Sequence, residues 1–116
     1  MVKVSFLIPT YNEIENVEEL SKAITDEMER LPQYDYEIIF IDNYSKDGTR
    51  DKLREMCNNN IRIKAILNAK NFGPNNSPYY GLTQTTGDCA ILMCADFQDP
   101  VELIPELLRE WDQGGV

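Results

Sequence analysis

Histidine is absent from this chain of 116 residues. That absence removes Ser-His-Asp and Cys-His triads, imidazole general bases and zinc sites built on imidazole. Gly-x-Gly-x-x-Gly and Gly-x(4)-Gly-Lys-Ser/Thr are also missing, and with them the common dinucleotide and P-loop fingerprints. Phosphate binding is therefore left to a divalent cation, to Lys and Arg, or to backbone amides. Basic residues are few: 11 Lys and Arg stand against 20 Asp and Glu, for a net charge of −9. Such a balance argues against a nucleic-acid partner, because a phosphate backbone needs clustered cations. Many of the acids fall within 13–37 and read as a solvated helix face. No apolar run approaches the ~20 residues that a membrane-spanning helix requires, and the N-terminus carries no signal-peptide pattern. Three cysteines without regular spacing suit a reducing compartment rather than a disulfide framework. The expected location is the cytoplasm.

What is present is an alternation of strand and helix patterns, in a chain long enough for one domain. "VKVSFLI" (2–8) reads as a strand. Val17, Leu20, Ile24, Met28 and Leu31 follow at spacings of 3, 4, 4 and 3, which is one face of an amphipathic helix. "YEIIFI" (36–41) is almost continuously apolar, as suits a strand covered on both faces. "DNYSKDGT" is turn chemistry leading into a short helix with Leu53, Met56 and Cys57. "IRIKAIL" (61–67) alternates, as a strand near a sheet edge would, and a weak helix is expected around 77–86. "CAILM" (89–93) reads as a short buried strand. In the last helix Asp99 suits the cap, Pro100 the first helical position and Glu102 a capping box, ahead of an apolar face of Leu103, Ile104, Leu107, Leu108 and Trp111.

Four strand–helix units in a row imply a Rossmann-like, mostly parallel α/β sheet with helices on both faces and right-handed crossovers. Ligands of such sheets sit beyond the carboxyl ends of the strands. The loops that fall there are "PTYNE", "DNYSKDGT", "NAKNFG" and "CADFQDP", which are also the most polar and distinctive segments of the chain. Read without any analogy, the first is a turn and helix start with Asn12 or Asn16 as a cap. Likewise, Ser45, Asp47, Gly48 and Thr49 suit a turn and helix start, and Lys70 suits a surface lysine. Asp96 is harder to explain as packing, since a buried strand rarely delivers a carboxylate without a partner.

The four loops, in this order, resemble those of glycosyltransferase family 2, and most of all its polyprenyl-phosphate branch. "VSFLIPTYNEIENVEEL" is similar to the family's opening strand and nucleotide loop. "YEIIFIDNYSKDGT" is similar to its second strand with an Asp-Asp-x-Ser-x-Asp-Gly-Thr turn. "NAKNFG" resembles Ser-Arg-Asn-Phe-Gly, and "ADFQDPVELIPELL" resembles its Asp-containing metal loop and the helix that follows. The resemblance covers essentially the whole chain and implies the glycosyltransferase A fold, N-terminal portion. It further implies that residues 1–116 are the donor-binding part of a longer catalytic domain.

By that resemblance Pro9, Thr10, Tyr11 and Glu13 wrap the base and ribose of a nucleotide-diphosphate sugar. Asp42 and Asn43 stand where the family carries an acid pair beside the base and ribose; asparagine donates as well as accepts, which bears on the base preferred. Lys70 takes the place of an arginine that faces the diphosphate, as a point charge without the bidentate fork. Asp96 and Gln98 match the last two positions of an Asp-x-Asp-x-Gln motif that holds Mg²⁺ or Mn²⁺ against the diphosphate, so Asp96 is expected to bind both metal and nucleotide sugar. Cys94 stands where the first acid belongs, and a thiolate is a soft ligand ill suited to Mg²⁺.

The implied activity is inverting transfer of a sugar from the nucleotide donor to a lipid-phosphate or glycan acceptor, with any general base beyond residue 116. Membrane contact is expected only through segments outside this chain, at the cytoplasmic face, and an exposed sheet edge favours self-association into a homo-oligomer. The competing reading, prompted by Cys94 and Asn43, is a non-catalytic domain of the same fold that binds nucleotide sugars or a partner. A flavodoxin-like signalling domain shares the alternation but needs a lysine late in the chain, and none follows Lys70.

Overall fold

The computed structural model describes residues 2–12, 14–42, 45–67, 87–93 and 104–112, and the side chains of 110–112 lie outside that description. In chain order the elements are β1 (Val2–Thr10), α1 (Val17–Glu29), β2 (Tyr34–Asp42), α2 (Thr49–Asn59), β3 (Ile63–Leu67), β4 (Cys89–Leu92) and α3 (Ile104–Asp112). The strands form one sheet in the order β3-β2-β1-β4, and every pairing is parallel. The α/β architecture expected from the alternation is therefore present.

Strand periodicity divides the apolar residues between the two faces. Val4, Phe6 and Ile8 of β1 join Tyr34, Tyr36, Ile38 and Phe40 of β2 in the main core. Each described helix sends buried apolar residues there: Val17, Leu20 and Ile24 from α1, Leu53 and Met56 from α2, and Ile104 and Leu108 from α3. Removing Phe6 and Phe40 completely from water stabilises the sheet by about 1.5–3 kcal/mol each. A smaller cluster of Leu7, Ile39 and Ile41 occupies the other face, with Ile66 against it, and no described helix contributes to it. The helix expected around 77–86 lies outside the described residues.

Several boundaries differ from the sequence reading, each for a physical reason. β1 continues past Ile8 through Pro9 to Thr10, because it runs on beside β2 alone, with Pro9 opposite Ile41; the β4 partnership stops at Leu7. Ile61 does not enter β3. It sits on a turn, 94% exposed, in which the Asn60 carbonyl accepts from Ile63 N (3.1 Å) and the Asn60 side chain accepts from Arg62 N (2.9 Å). β4 is less buried than its apolar run suggested: among the described strands only β1 pairs with it, and Leu92 is 55% exposed. In α3, Ile104 and Leu108 are buried but Leu107 is half-exposed. Asp99, Pro100, Glu102 and Leu103 lie outside the described residues.

The amino ends of the strands carry a buried polar knot. Glu37, 1% exposed, accepts from the Ser5 hydroxyl (2.5 Å) and from Lys64 Nζ (2.6 Å). Gly87 N donates to the same Ser5 oxygen (2.9 Å), and Asp88 N donates to Lys3 O (2.7 Å). These bonds seat the entry to β4 directly against β1.

Candidate functional site

The chain runs from β1 outward to β2 and β3, then returns to place β4 on the opposite side of β1. The order of strands therefore reverses between β1 and β4, and in open α/β sheets ligands bind at such a switch point, beyond the carboxyl ends of the strands. The end of β1 leads to Tyr11, and the end of β4 leads through buried Met93 towards Cys94 and Asp96. Of the residues expected in the site, Pro9, Thr10, Tyr11 and Asp42 are described. Glu13, Asn43, Lys70, Cys94, Asp96 and Gln98 lie outside the described residues.

Asp42 is the hub of the described part. The parallel register sets it opposite Thr10, and its side chain is fully buried. Oδ1 accepts from the Thr10 hydroxyl at 3.0 Å and from the Ser45 hydroxyl in a short bond. Oδ2 accepts from Ser45 N at 2.8 Å and from the Arg50 guanidinium at 3.4 Å. A carboxylate has about four acceptor positions, and protein donors engage that many here. For a nucleotide to reach Asp42, one of these donors must be exchanged, and Arg50 holds the longest bond of the four.

Around this hub the loop after β1 is tied to the loop after β2. Asn12 N donates to Ser45 Oγ (2.7 Å), and Asn12 Oδ1 accepts from Lys46 N (2.8 Å). Asn12 adopts a left-handed backbone conformation with φ of 54°, which asparagine tolerates better than most residues. Ile14 N donates to Asp47 Oδ2 at 3.2 Å, while Asp47 Oδ1 accepts from Thr49 N at 3.0 Å and from the Thr49 hydroxyl. Desolvation by the surrounding loop works against the ionisation of Asp47. The donated bonds from Thr49 and Ile14 outweigh that effect and hold its carboxyl below the ordinary carboxylate range. At neutral pH Asp47 is thus an anion that only accepts.

The expectation of a helix cap at Asn12 or Asn16 holds in position for Asn16 and not for Asn12. Asn16 sits at the N-cap of α1 but makes no side-chain capping bond, and Asn12 spends its amide oxygen on Lys46. The structural alternative for Ser45, Asp47, Gly48 and Thr49 is supported, since Asp47 and Gly48 shape the start of α2. Gly48 has φ of +100°, and a Cβ there would lie 2.9 Å from Ile14 Cδ1. Gly48→Ala is expected to destabilise by about 1–2 kcal/mol, mostly as backbone strain, because the facing methyl is the end of a flexible side chain. A urea midpoint unchanged from wild type would refute this. Arg50 and the burial of Ser45 were missed by the sequence reading. The Asp-x-x-Ser spacing was a signal for Ser45, since aspartate often bonds backbone N–H groups a few residues on.

Tyr11 is left projecting, 48% exposed, between pinned neighbours. Beside it, Asn12, Ile14, Glu15, Asn16 and Asp47 line a cleft of 370 Å³, whose two carboxylates make it unsuited to a phosphate. At the opposite end of the sheet a cleft of 240 Å³ is lined by Lys3, Asp35, Glu37, Arg62 and Lys64. Its cations are matched by internal acids: Arg62 pairs with Asp35, and Lys64 and Lys3 with Glu37.

A parallel sheet with a switch point between β1 and β4, and interlocked polar loops beyond its carboxyl edge, defines a Rossmann-like α/β domain, and solved glycosyltransferases of the A type superpose on it. The sequence agrees: residues 5–116 match the family model described as Glycosyl transferase family 2, and the chain belongs to that family. It is 34% identical over 113 residues to a bactoprenol glucosyl transferase of Shigella phage SfX, covering 97% of this chain and 37% of that protein. It is 37% identical over 113 residues to a dolichol-phosphate mannosyltransferase of Pyrococcus furiosus, covering 97% of this chain and 31% of that one. The chain thus spans about a third of the length of these relatives. Among solved structures, S. aureus TarS 1-349 in complex with UDP-GlcNAc superposes with a TM-score of 0.74 at 22% identity, over 96% of this chain and 31% of that one. Mannosyltransferase PcManGT from Pyrobaculum calidifontis, in complex with GDP-Man and Mn²⁺, superposes with a TM-score of 0.66 at 21% identity, over 84% and 32%.

Proposed function

We propose that this chain is the donor-binding part of an enzyme that moves a sugar, with inversion, from a nucleoside-diphosphate donor to a lipid-phosphate or glycan acceptor. The observation that carries the reading is the loop after β1, which borders the β1/β4 switch point, locked to the loop after β2, in a chain of this family. A lipid-phosphate acceptor is supported by relatives named for bactoprenol and dolichol phosphate. A nucleotide-sugar donor is supported by neighbours solved with GDP-Man and UDP-GlcNAc.

In this reading Tyr11 offers its exposed ring to the base, with Pro9, Thr10 and Glu13 shaping the loop. Asp42 and Asn43 border the ribose and base, and Lys70 faces the diphosphate. Asp96 and Gln98 would hold Mg²⁺ or Mn²⁺: their oxygen donors are what a hard cation takes, whereas Cys94 is not. Both lie outside the described residues. Among the described residues no group of three metal-ligating side chains occurs, so the metal reading rests on the chemistry of that pair. When bound, such a cation would offset charge on the departing diphosphate. A lipid phosphate is already ionised and needs no strong base, while a sugar hydroxyl would need a carboxylate base outside this chain. No described helix is long and apolar enough to cross a membrane; contact with the cytoplasmic face of one would come through other segments. Self-association along a sheet edge is part of the same proposal.

Calorimetry of the full-length protein with UDP and GDP, with and without Mn²⁺, tests the reading. Binding to at least one nucleotide is expected to tighten with Mn²⁺, and Asp96→Ala is expected to remove at least tenfold of that gain. Tight binding indifferent to both the metal and the substitution would sink the metal assignment. Nucleotide binding without sugar transfer to any polyprenyl phosphate or glycan would favour the non-catalytic alternative that Cys94 and Asn43 suggest.

A further inference from the structure

The loop after β1 is not pinned evenly. Thr10, the last residue of β1, bonds through Oγ1 to Asp42, the last residue of β2 (3.0 Å); beyond the strands, Asn12 bonds to the loop after β2 through both its N–H and its amide oxygen (2.7 and 2.8 Å), and Ile14 N bonds to Asp47 (3.2 Å). Between the pins at Thr10 and Asn12 stands Tyr11, one of the side chains expected to meet the nucleotide, 48% exposed. Asn12 bonds through both its backbone N–H and its side chain, and it alone is a non-glycine residue at positive φ among the described residues. Its partner Ser45 is in turn anchored on buried Asp42. Yet Asn12 is itself exposed, so burial gives no reason for an asparagine here.

We infer that Asn12 is a positioning residue for donor binding: its amide oxygen, taken by Lys46 N, holds the left-handed turn that presents Tyr11 to the nucleotide. The inference rests on the proposed function, since it assumes that the loop meets a nucleotide. The loop is preorganised before binding, so less of the binding free energy goes into ordering it. The contribution is uniform binding, present in the ground state and the transition state alike. It should therefore appear in KM for the donor and in Kd for the nucleotide, and leave kcat unchanged.

Three substitutions separate the elements of the inference. Asn12→Gly keeps the left-handed backbone accessible but removes the acceptor. Asn12→Asp keeps both an acceptor and tolerance of positive φ. Tyr11→Ala removes the presented ring. In calorimetry of the full-length protein with UDP and GDP plus Mn²⁺, Asn12→Gly is expected to weaken nucleotide binding five- to tenfold, and Asn12→Asp less than threefold. In steady-state kinetics Asn12→Gly should raise donor KM by a similar factor, with kcat within twofold of wild type. Thermal melts keep folding separate, because an exposed residue should leave a cooperative transition in every variant. If Asn12→Gly binds like wild type while Tyr11→Ala binds weakly, the positioning inference fails and the nucleotide reading stands. If Tyr11→Ala also binds like wild type, the positioning inference fails, since the ring it presents is not used, while the nucleotide reading stands; if the wild-type protein binds neither nucleotide, both fail. Loss in kcat with KM unchanged, or Asn12→Asp as weak as Asn12→Gly, would also overturn the inference.

Discussion

Asp42→Ala is expected to destabilise the domain by about 3 kcal/mol, and Asp42→Asn by roughly half as much. Alanine leaves the buried Ser45 N–H and the Thr10 and Ser45 hydroxyls without their acceptor. A stranded buried donor costs about 1–3 kcal/mol. One escape keeps the total below the sum: Thr10 Oγ1 already lies 3.4 Å from Ile41 O. Arg50 is 24% exposed in its side chain and can turn to water, so little stranded charge is added. Asparagine preserves the volume and one acceptor oxygen, which can keep Ser45 N. Its NH₂ then replaces Oδ1, obliging the two hydroxyls to reorient. Urea denaturation of the full-length protein should give the order wild type, Asp42→Asn, Asp42→Ala in falling midpoint. Equal midpoints for the two variants, or Asp42→Ala within 0.5 kcal/mol of wild type, would contradict the hub described for Asp42.

Gly87→Ala is expected to be about as damaging, roughly 3 kcal/mol, for a steric reason. A Cβ at Gly87 would lie 2.5 Å from Ser5 Oγ and 2.9 Å from both Lys3 O and Ser5 N. Two of those atoms are backbone of β1 and cannot rotate away. The entry to β4 would have to lift off β1, straining the bonds from Gly87 N to Ser5 and from Asp88 N to Lys3 O. Overpacking of this kind typically costs 1–3 kcal/mol, occasionally more, and the backbone clash puts Gly87 at the upper end. A fall in melting temperature of about 10 °C or more is the expected reading. A shift of under about 3 °C would mean that β1 and the β4 entry yield more easily than their hydrogen bonds suggest.

These two sites mark where sequence reasoning stops. Strand and helix periods were legible because they are local: Val17, Leu20, Ile24 and Met28 are buried as their spacing requires. Asp42 at a strand end was legible for the same reason. That its carboxylate faces Thr10 depends on a register joining residues 32 apart, which no local pattern encodes. Gly87 looks like any loop glycine until β1 is set against it, a contact 82 residues distant in sequence. Ile61 and Leu107 erred in the opposite direction, since apolar character was taken for burial and both are exposed. Of the candidate site, residue types and order were readable, while the network joining Thr10, Asn12, Ser45 and Asp47 was not.

The even spacing of the pins at 10, 12 and 14 carries a consequence for how this loop tolerates change. Substituting the side chain at position 11 alters what the loop offers and leaves every described pin in place. Removing or inserting one residue between Thr10 and Ile14 shifts the remainder out of step, bringing to Ser45 and Lys46 a residue other than Asn12. The length of this segment is therefore held more tightly than its composition. Variation in donor preference would accumulate here by substitution and not by insertion or deletion.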